Sequence, residues 1–205
     1  MVGPSPSPDF ARTRVDNKQS LRAQLKKLRS AHVAGLPDTM RGLMFLRPPS
    51  PVVAAVPEGS VTGLYRATPS EAPTRRYAEW FFEHGRTLAL PWFAERGDDM
   101  KFRLWLDPHD EDGLGAGPYG MMQPPADAPE VLPDTVFVPL LGFTAQCDRL
   151  GQGGGHYDRW LAANPDTRTM GLAWDCQLVD SLPVEPHDIR LGAVVTPTRF
   201  YEGNA

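Results

Sequence analysis

The sequence has few cysteines and no long apolar run, and these two shortages exclude several classes of protein. Its 205 residues include 2 cysteines, Cys147 and Cys176. They stand in no Cys-x-x-Cys or Cys/His spacing, so neither a disulfide framework nor a zinc site is indicated. No apolar run approaches the roughly 20 residues needed to span a bilayer, and the N-terminus lacks the basic start and apolar stretch of a secretory signal. We therefore predict a cytoplasmic protein with reduced thiols and no membrane partner.

The chain also lacks an excess of positive charge. Lys and Arg total 21 against 25 Asp and Glu, which gives a formal net charge of -4. An acidic balance offers no obvious basic surface, so we expect no nucleic-acid partner. The 41% hydrophobic and 22% charged content is typical of a globular protein with a sizeable core. Monomer and homodimer both remain open.

Proline and serine dominate the N-terminus. This composition predicts a disordered arm over residues 1–15 and a single folded domain over residues 16–205. An amphipathic helix is expected to begin at Asp16 or Asn17. Three leucines recur at helical spacing on its predicted apolar face: Leu21, Leu25 and Leu28.

Downstream, apolar segments with the periods of strands and helices alternate. Residues 61–93 read as strand, loop, helix and strand, with Gly85 placed to end the helix. Residues 107–134 are rich in Asp, Gly and Pro and are predicted to be mostly loop. The other predicted strands are residues 51–56, 100–106, 135–143, 169–174 and 191–196, and a helix is predicted over residues 156–164. This alternation favours an α/β fold, a three-layer α/β/α domain with a mostly parallel sheet.

A glycine-rich loop follows the predicted buried strand. The stretch "RLGQGGGHYDRW", residues 149–160, leads from that strand into a helix, and ligands collect at such positions in α/β sheets. Its main-chain N–H groups suit a phosphate, with Arg149 as a fixed cation and Asp158 as a magnesium ligand. It is neither a Walker loop nor a dinucleotide fingerprint. On composition alone, a flexible surface loop is an equally good interpretation.

Residues 138–161 resemble the signature of the 5-formyltetrahydrofolate cyclo-ligase family. An apolar strand with Pro139 and then Phe143 precedes the motif. The matching motif residues are Arg149, Leu150, Gly151, Gly153, Gly155, Tyr157, Asp158 and Arg159. The likeness covers roughly residues 17–197 in the same order. It implies a fold similar to that of sugar-phosphate isomerases and coenzyme A transferases.

The resemblance also implies roles for residues outside the loop. "KQSLR" is similar to a first-helix motif whose Lys18 and Arg22 reach ATP and substrate, although a solvated helix face would look the same. Glu71 is implied to hold the folate, with aromatic residues around Trp92 and Tyr157, although an acid near a helix N-terminus and a core tryptophan would look the same. Asp188 is implied to join Asp158 at a magnesium ion.

Two sets of contacts follow from the resemblance. The nucleotide contacts implied are Lys18, Arg22, Arg149, Leu150, Gly151, Gln152, Gly153, Gly154, Gly155, His156 and Tyr157. The folate contacts implied are Arg22, Arg66, Glu71, Gln152, Gly153, Gly154, Gly155 and His156. Lys18 and Arg149 are the implied catalytic cations.

The implied reaction is the ATP-driven cyclisation of 5-formyltetrahydrofolate to 5,10-methenyltetrahydrofolate, with ATP and Mg²⁺ as cofactors. ATP converts the formyl oxygen into a phosphate leaving group, and N10 then closes the ring. The chain departs from the usual family pattern at five positions: Gln123, Thr144, Cys147, His156 and Gly192. These departures leave two alternatives open, a non-catalytic paralogue that binds folate or nucleotide, and an ATP-independent enzyme on a related fold.

Overall fold

A computed structural model describes residues 8–110 and 112–203 of the chain. Its helices are α1 (Pro8–Ala34), α2 (Asp38–Met44), α3 (Ser50–Ala55), α4 (Arg75–Glu83) and α5 (His156–Ala163). Its strands are β1 (Val61–Gly63), β2 (Thr87–Trp92), β3 (Lys101–Trp105), β4 (Gly115–Ala116), β5 (Met122–Gln123), β6 (Thr135–Val138), β7 (Gly142–Phe143), β8 (Arg149–Leu150), β9 (Arg168–Leu172), β10 (Ala193–Val195) and β11 (Phe200–Glu202). None of the described helices is long and apolar enough to cross a membrane.

Seven strands form one sheet in the order β11-β10-β9-β6-β1-β2-β3. The five central strands pair in parallel, and the two edge strands, β11 and β3, pair antiparallel to their neighbours. Successive side chains of a strand point to opposite faces of the sheet. Leu88 and Leu90 pack with Phe81 of α4 on one face, whereas Ala89 belongs to the cluster that contains Leu161 of α5 on the other. The predicted three-layer α/β/α fold with a mostly parallel sheet is confirmed.

The first helix begins earlier than the sequence pattern predicts. It starts at Pro8, so residues 8–15 are helical, while residues 1–7 of the predicted arm lie outside the described residues. Proline is compatible with a first helical turn because the N–H that it lacks has no partner there. Leu28 is 49% exposed, whereas the neighbouring Arg29 is buried. The apolar face of the helix is therefore narrower than the spacing of the leucines predicts.

Two strand predictions are wrong in instructive ways. Residues 51–56 lie mostly in helix α3, where Pro51 occupies the first turn and its fixed φ favours a helical start. The strand predicted over residues 135–143 ends at Val138 because Pro139 has no N–H to donate to a sheet. Gly142 and Phe143 pair with β8 in a separate two-stranded ladder.

Helix α1 lies across the segment that follows β6. The Arg29 guanidinium donates to the Leu140 carbonyl over 3.2 Å, and a Cβ on Gly142 would lie 2.7 Å from Leu25 Cδ1. A larger residue at position 142 would displace the Leu25 side chain. This close approach places the earlier turns of the helix, with Lys18 and Arg22, beside the glycine-rich loop.

Candidate active site

A cavity of about 470 Å³ opens at the carboxyl ends of β1, β2 and β6, where α/β sheets collect ligands. The nucleotide, folate and metal contacts predicted from the sequence lie in its wall, with Trp92 as the exception: Lys18, Arg22, Arg66, Glu71, Arg149, Leu150, Gly151, Gln152, Gly153, Gly154, Gly155, His156, Tyr157, Asp158 and Asp188. The fold therefore brings together residues from the first helix, the β1–α4 connection, the glycine-rich loop and the C-terminal region.

The glycine-rich loop uses backbone conformations that other residues rarely adopt. Gly153 has a φ of 102° and Gly155 a φ of 66°, and Gly155 is the N-cap of α5. Arg22 donates from Nε to the Gly151 carbonyl over 3.1 Å. The first-turn N–H groups of a helix have no helical partner and favour an anion. The arrangement can therefore hold a phosphate between the main chain and Arg22.

Arg149 and Asp158 form a buried ion pair. Arg149 Nη2 donates to Asp158 Oδ1 over 2.6 Å, and the same oxygen accepts from the N–H of Ile189 over 3.1 Å. Burial lowers the pKa of the Arg149 guanidinium, while the charges of Asp158 and Asp188 oppose that shift. Arg149 Nε is buried without a hydrogen-bond partner among the described residues. Arg149 also lines the cavity, so an anion bound there could make a charge-assisted contact with its guanidinium.

Lys18 joins the first helix to the C-terminal acids. Its ammonium donates to Glu185 Oε2 over 2.6 Å and to Asp188 Oδ2 over 2.7 Å, and the lysine side chain is only 5% exposed. Burial alone would raise the pKa of Asp188, but hydrogen bonds from Lys18 and from the Glu185 N–H hold it below its usual value. Asp188 is therefore a carboxylate at neutral pH.

The C-terminal acids form the group best suited to a metal ion in the described part of the chain. Glu185, His187 and Asp188 bring one ligand atom each within 4.8 Å of one another. Carboxylate oxygens suit Mg²⁺, so the donor set fits the metal. Asp158, the other predicted ligand, lines the same cavity but pairs with Arg149. Sequence reasoning missed Glu185 and His187, although the acid-x-histidine-acid spacing before Ile189 was a usable signal.

Glu71 lies in the cavity wall and accepts hydrogen bonds from several donors. Its Oε2 accepts from the Thr68 N–H over 2.8 Å, and its Oε1 accepts from Gln152 Nε2 over 3.0 Å. Gln152 belongs to the glycine-rich loop, so the two predicted binding regions are directly connected. Arg66 lies nearby with its guanidinium 5.8 Å from the Trp105 ring centre.

Aromatic rings line the part of the cavity near the end of β2. The His156 ring lies 4.9 Å from the Phe93 ring and 5.1 Å from the Tyr119 ring, between centres. Among the described residues, the cavity wall contains Phe93 and not the predicted Trp92. Adjacent strand residues face opposite sides of a sheet, and Trp92 instead lies against Arg103, whose Cζ is 4.1 Å from its ring centre.

His156 is a neutral side chain in this wall. Its Nδ1 lies 3.0 Å from Arg159 Nη2. Since arginine only donates, Nδ1 accepts and the ring proton is on Nε2. Burial, and then the Arg159 charge, lowers the pKa of His156. The site therefore offers an aromatic N–H donor at neutral pH.

Comparisons with known proteins agree on one family. The model of the 5-formyltetrahydrofolate cyclo-ligase family matches residues 14–197. An Escherichia coli K12 protein named 5-formyltetrahydrofolate cyclo-ligase is 42% identical over 105 residues, which are 48% of this chain and 58% of the relative. A Mycolicibacterium smegmatis protein of that name is 29% identical over 149 residues, 69% of this chain and 75% of the relative.

A solved structure shares the fold. The NMR structure of Aquifex aeolicus 5,10-methenyltetrahydrofolate synthetase matches with a TM-score of 0.69 and 23% identity, over 90% of this chain and 95% of that one. The sequence match to the Escherichia coli relative spans 58% of that protein's length.

Proposed function

Because the chain belongs to the 5-formyltetrahydrofolate cyclo-ligase family, we propose that it catalyses the ATP-dependent cyclisation of 5-formyltetrahydrofolate to 5,10-methenyltetrahydrofolate. ADP and phosphate are the other products. One observation carries the proposal. A single cavity joins a glycine-rich loop and two buried cations, Lys18 and Arg149, to a carboxylate and an aromatic wall at Glu71 and Phe93.

The chemistry explains why the site needs both a part that binds phosphate and a part that binds the folate. The formyl group is an amide, and its oxygen leaves only after it has been phosphorylated. The chain's task is to align the formyl oxygen with the terminal phosphate and to neutralise the charge that moves during transfer. In this proposal Arg149 and Lys18 bind phosphate oxygens, and the loop N–H groups orient the triphosphate. Glu71 and the aromatic rings hold the pterin so that N10 faces the activated carbon.

The carboxylates near Lys18 are the proposed magnesium ligands. Asp158 and Asp188 would hold the ion, with Glu185 as a further oxygen ligand. When bound, magnesium would neutralise charge on the triphosphate. The geometric support is the grouping of Glu185 with Asp188 and the position of all three acids in the cavity wall.

The proposed activity is tested with the purified full chain, 5-formyltetrahydrofolate and magnesium, with and without ATP. We expect the near-ultraviolet absorbance of the methenyl product to rise only with ATP, and ADP to form in equal amount. Adding a chelator in excess of magnesium should stop the reaction. Binding of both ligands without product would favour the non-catalytic paralogue, and product without ATP would exclude the proposed mechanism.

We expect Gly153→Ala to weaken nucleotide binding. A Cβ at this φ is strained by about 1–2 kcal/mol, and it would lie 3.3 Å from Arg22 Cζ, so Arg22 must move away from the loop. The KM for ATP should rise about twofold to tenfold, because the loss of one hydrogen bond costs about 0.5–1.5 kcal/mol. Gly59→Ala is the control because Gly59 also has a positive φ, 78°, but has open space around its Cβ. Equal KM values for the two variants would contradict the role of the loop.

We further propose that the protein works in the cytoplasm, where ATP is available, as a monomer or homodimer that binds small molecules only. The net charge of -4 supports the absence of a nucleic-acid partner. Size-exclusion chromatography with light scattering separates the two oligomeric states.

A further inference from the structure

Arg29 is a buried cation that the proposed reaction does not use. It lies on α1 and is 1% exposed. Its Nη1 donates to the Leu140 carbonyl over 3.2 Å and lies 3.6 Å from Glu71 Oε1. Its Nε is buried with no hydrogen-bond partner among the described residues. A guanidinium withdrawn from water in this way is costly unless a negative charge compensates it.

Glu71 is the acid that compensates Arg29. Among the described residues, Glu71 is the carboxylate that lies within ion-pair distance of Arg29, and the Glu71 side chain is 6% exposed. Two phenols also face Glu71, Tyr65 from the segment after β1 and Tyr157 from α5. Burial, and then the Glu71 charge, raises the pKa of both phenols. Both stay neutral at physiological pH, so neither can replace Glu71 as the counter-charge of Arg29.

The remaining contacts leave part of the Glu71 carboxylate available for a ligand. A carboxylate has about four acceptor positions. The Thr68 N–H occupies one on Oε2, and the Gln152 amide and the Arg29 guanidinium approach Oε1. The carboxylate still lines the cavity. One acceptor position of the Glu71 carboxylate therefore remains free, and the contacts at the other three fix the direction in which it points.

We propose that Arg29 is a positioning residue for the folate, because it holds the Glu71 carboxylate in an orientation that faces the cavity. The inference rests on the proposed function, in which Glu71 receives N–H donors of the pterin. Hydrogen bonds from such donors to an ionised carboxylate are about twice as strong as those to a neutral group. Arg29 touches neither substrate and acts through Glu71 alone.

The test compares Arg29→Met, Arg29→Lys, Glu71→Gln and the double variant Arg29→Met/Glu71→Gln. We expect Arg29→Met to raise the KM for 5-formyltetrahydrofolate about tenfold or more, because a small displacement of a positioning group has a large effect on how the substrate is held. The KM for ATP should stay unchanged. Arg29→Lys keeps the charge and should recover most of the folate affinity. In the Glu71→Gln background, Arg29→Met should cause no further rise.

Gln177→Leu is the matched control. Gln177 is buried and donates to the same Leu140 carbonyl as Arg29, without an ion pair to Glu71. This variant should lower the melting temperature but leave the folate KM unchanged. An equal rise in both KM values for Arg29→Met, or a full additional effect on top of Glu71→Gln, would overturn the proposal and assign Arg29 a purely structural role.

Two further measurements test the role of Arg29 if the wild type is inactive or if Arg29→Met unfolds. If the wild type binds 5-formyltetrahydrofolate but does not turn it over, the proposed activity fails, and the same four variants are compared by their folate dissociation constants. If Arg29→Met unfolds, the double variant should be folded and more stable than Arg29→Met, since it carries no unpaired buried charge. A double variant no more stable than Arg29→Met would show that the two side chains are not coupled.

Discussion

Arg149→Ala is expected to reduce turnover by at least about a hundredfold, the usual cost of removing one fixed donor that stabilises transition-state charge. The guanidinium is 4% exposed and is paired with Asp158, so water cannot replace it at the same position. Asp158→Asn should reduce turnover as strongly. Removing one partner of a buried pair also costs about 3–5 kcal/mol of stability, so rates are measured where circular dichroism shows each variant to be folded.

Arg190→Ala is the matched control for Arg149. Arg190 pairs with Asp148 over 2.7 Å, but its side chain is 50% exposed, and such surface pairs contribute about 0–1 kcal/mol. We expect its turnover and melting temperature to stay close to those of the wild type. Near-normal turnover of folded Arg149→Ala would remove Arg149 from the proposed mechanism.

Lys18→Met is expected to reduce turnover about a hundredfold and to raise the KM for ATP. The variant deletes the cation that holds Glu185 and Asp188 together, and it leaves two facing carboxylates without a counter-charge. Lys27→Met is the control, since Lys27 is an exposed lysine of the same helix. If both variants kept the wild-type KM for ATP, Lys18 would have no part in binding the nucleotide.

The same variant has a predictable dependence on pH. In the folded protein the pKa of Asp188 is depressed, so this carboxylate contributes stability above its unfolded pKa, about 3.9. That contribution is lost as pH falls through the lower folded value. Lys18→Met removes the main cause of the depression. The difference in melting temperature between wild type and variant should therefore be present at pH 7 and shrink below about pH 4.

The glycine-rich loop could be predicted from sequence because its geometry is local. A buried strand, four glycines and a helix follow one another within residues 135–163, and chain connectivity alone places Arg149 and Asp158 at the same end of the sheet. The aromatic residues of the cavity wall were harder to predict from the sequence. Trp92 and Phe93 are adjacent and both aromatic, and only the face to which each points decides which one lines the cavity.

Hydrophobic patterning failed where a polar residue is buried. The spacing of the leucines in α1 predicts Leu28 on the apolar face, yet Leu28 is exposed and Arg29 is buried. Arginine is buried only with a partner, and its partner, Glu71, lies in a distant segment. The short helix α3 was missed for a different reason, since an apolar run of six residues suits a strand and a helix equally well.

The sequence by itself determined the alternation of strands and helices, the family, and many of the charged and glycine residues that line the cavity. Only the tertiary structure decided how those residues pair. Lys18 meets Asp188 across 170 positions of the chain, and Glu185 joins them although no pattern had marked it. Such contacts depend on how α1 packs across the end of the sheet. The local spacing of residues encodes which face of a helix is apolar, but it does not encode which distant charged residue a side chain of that helix will contact.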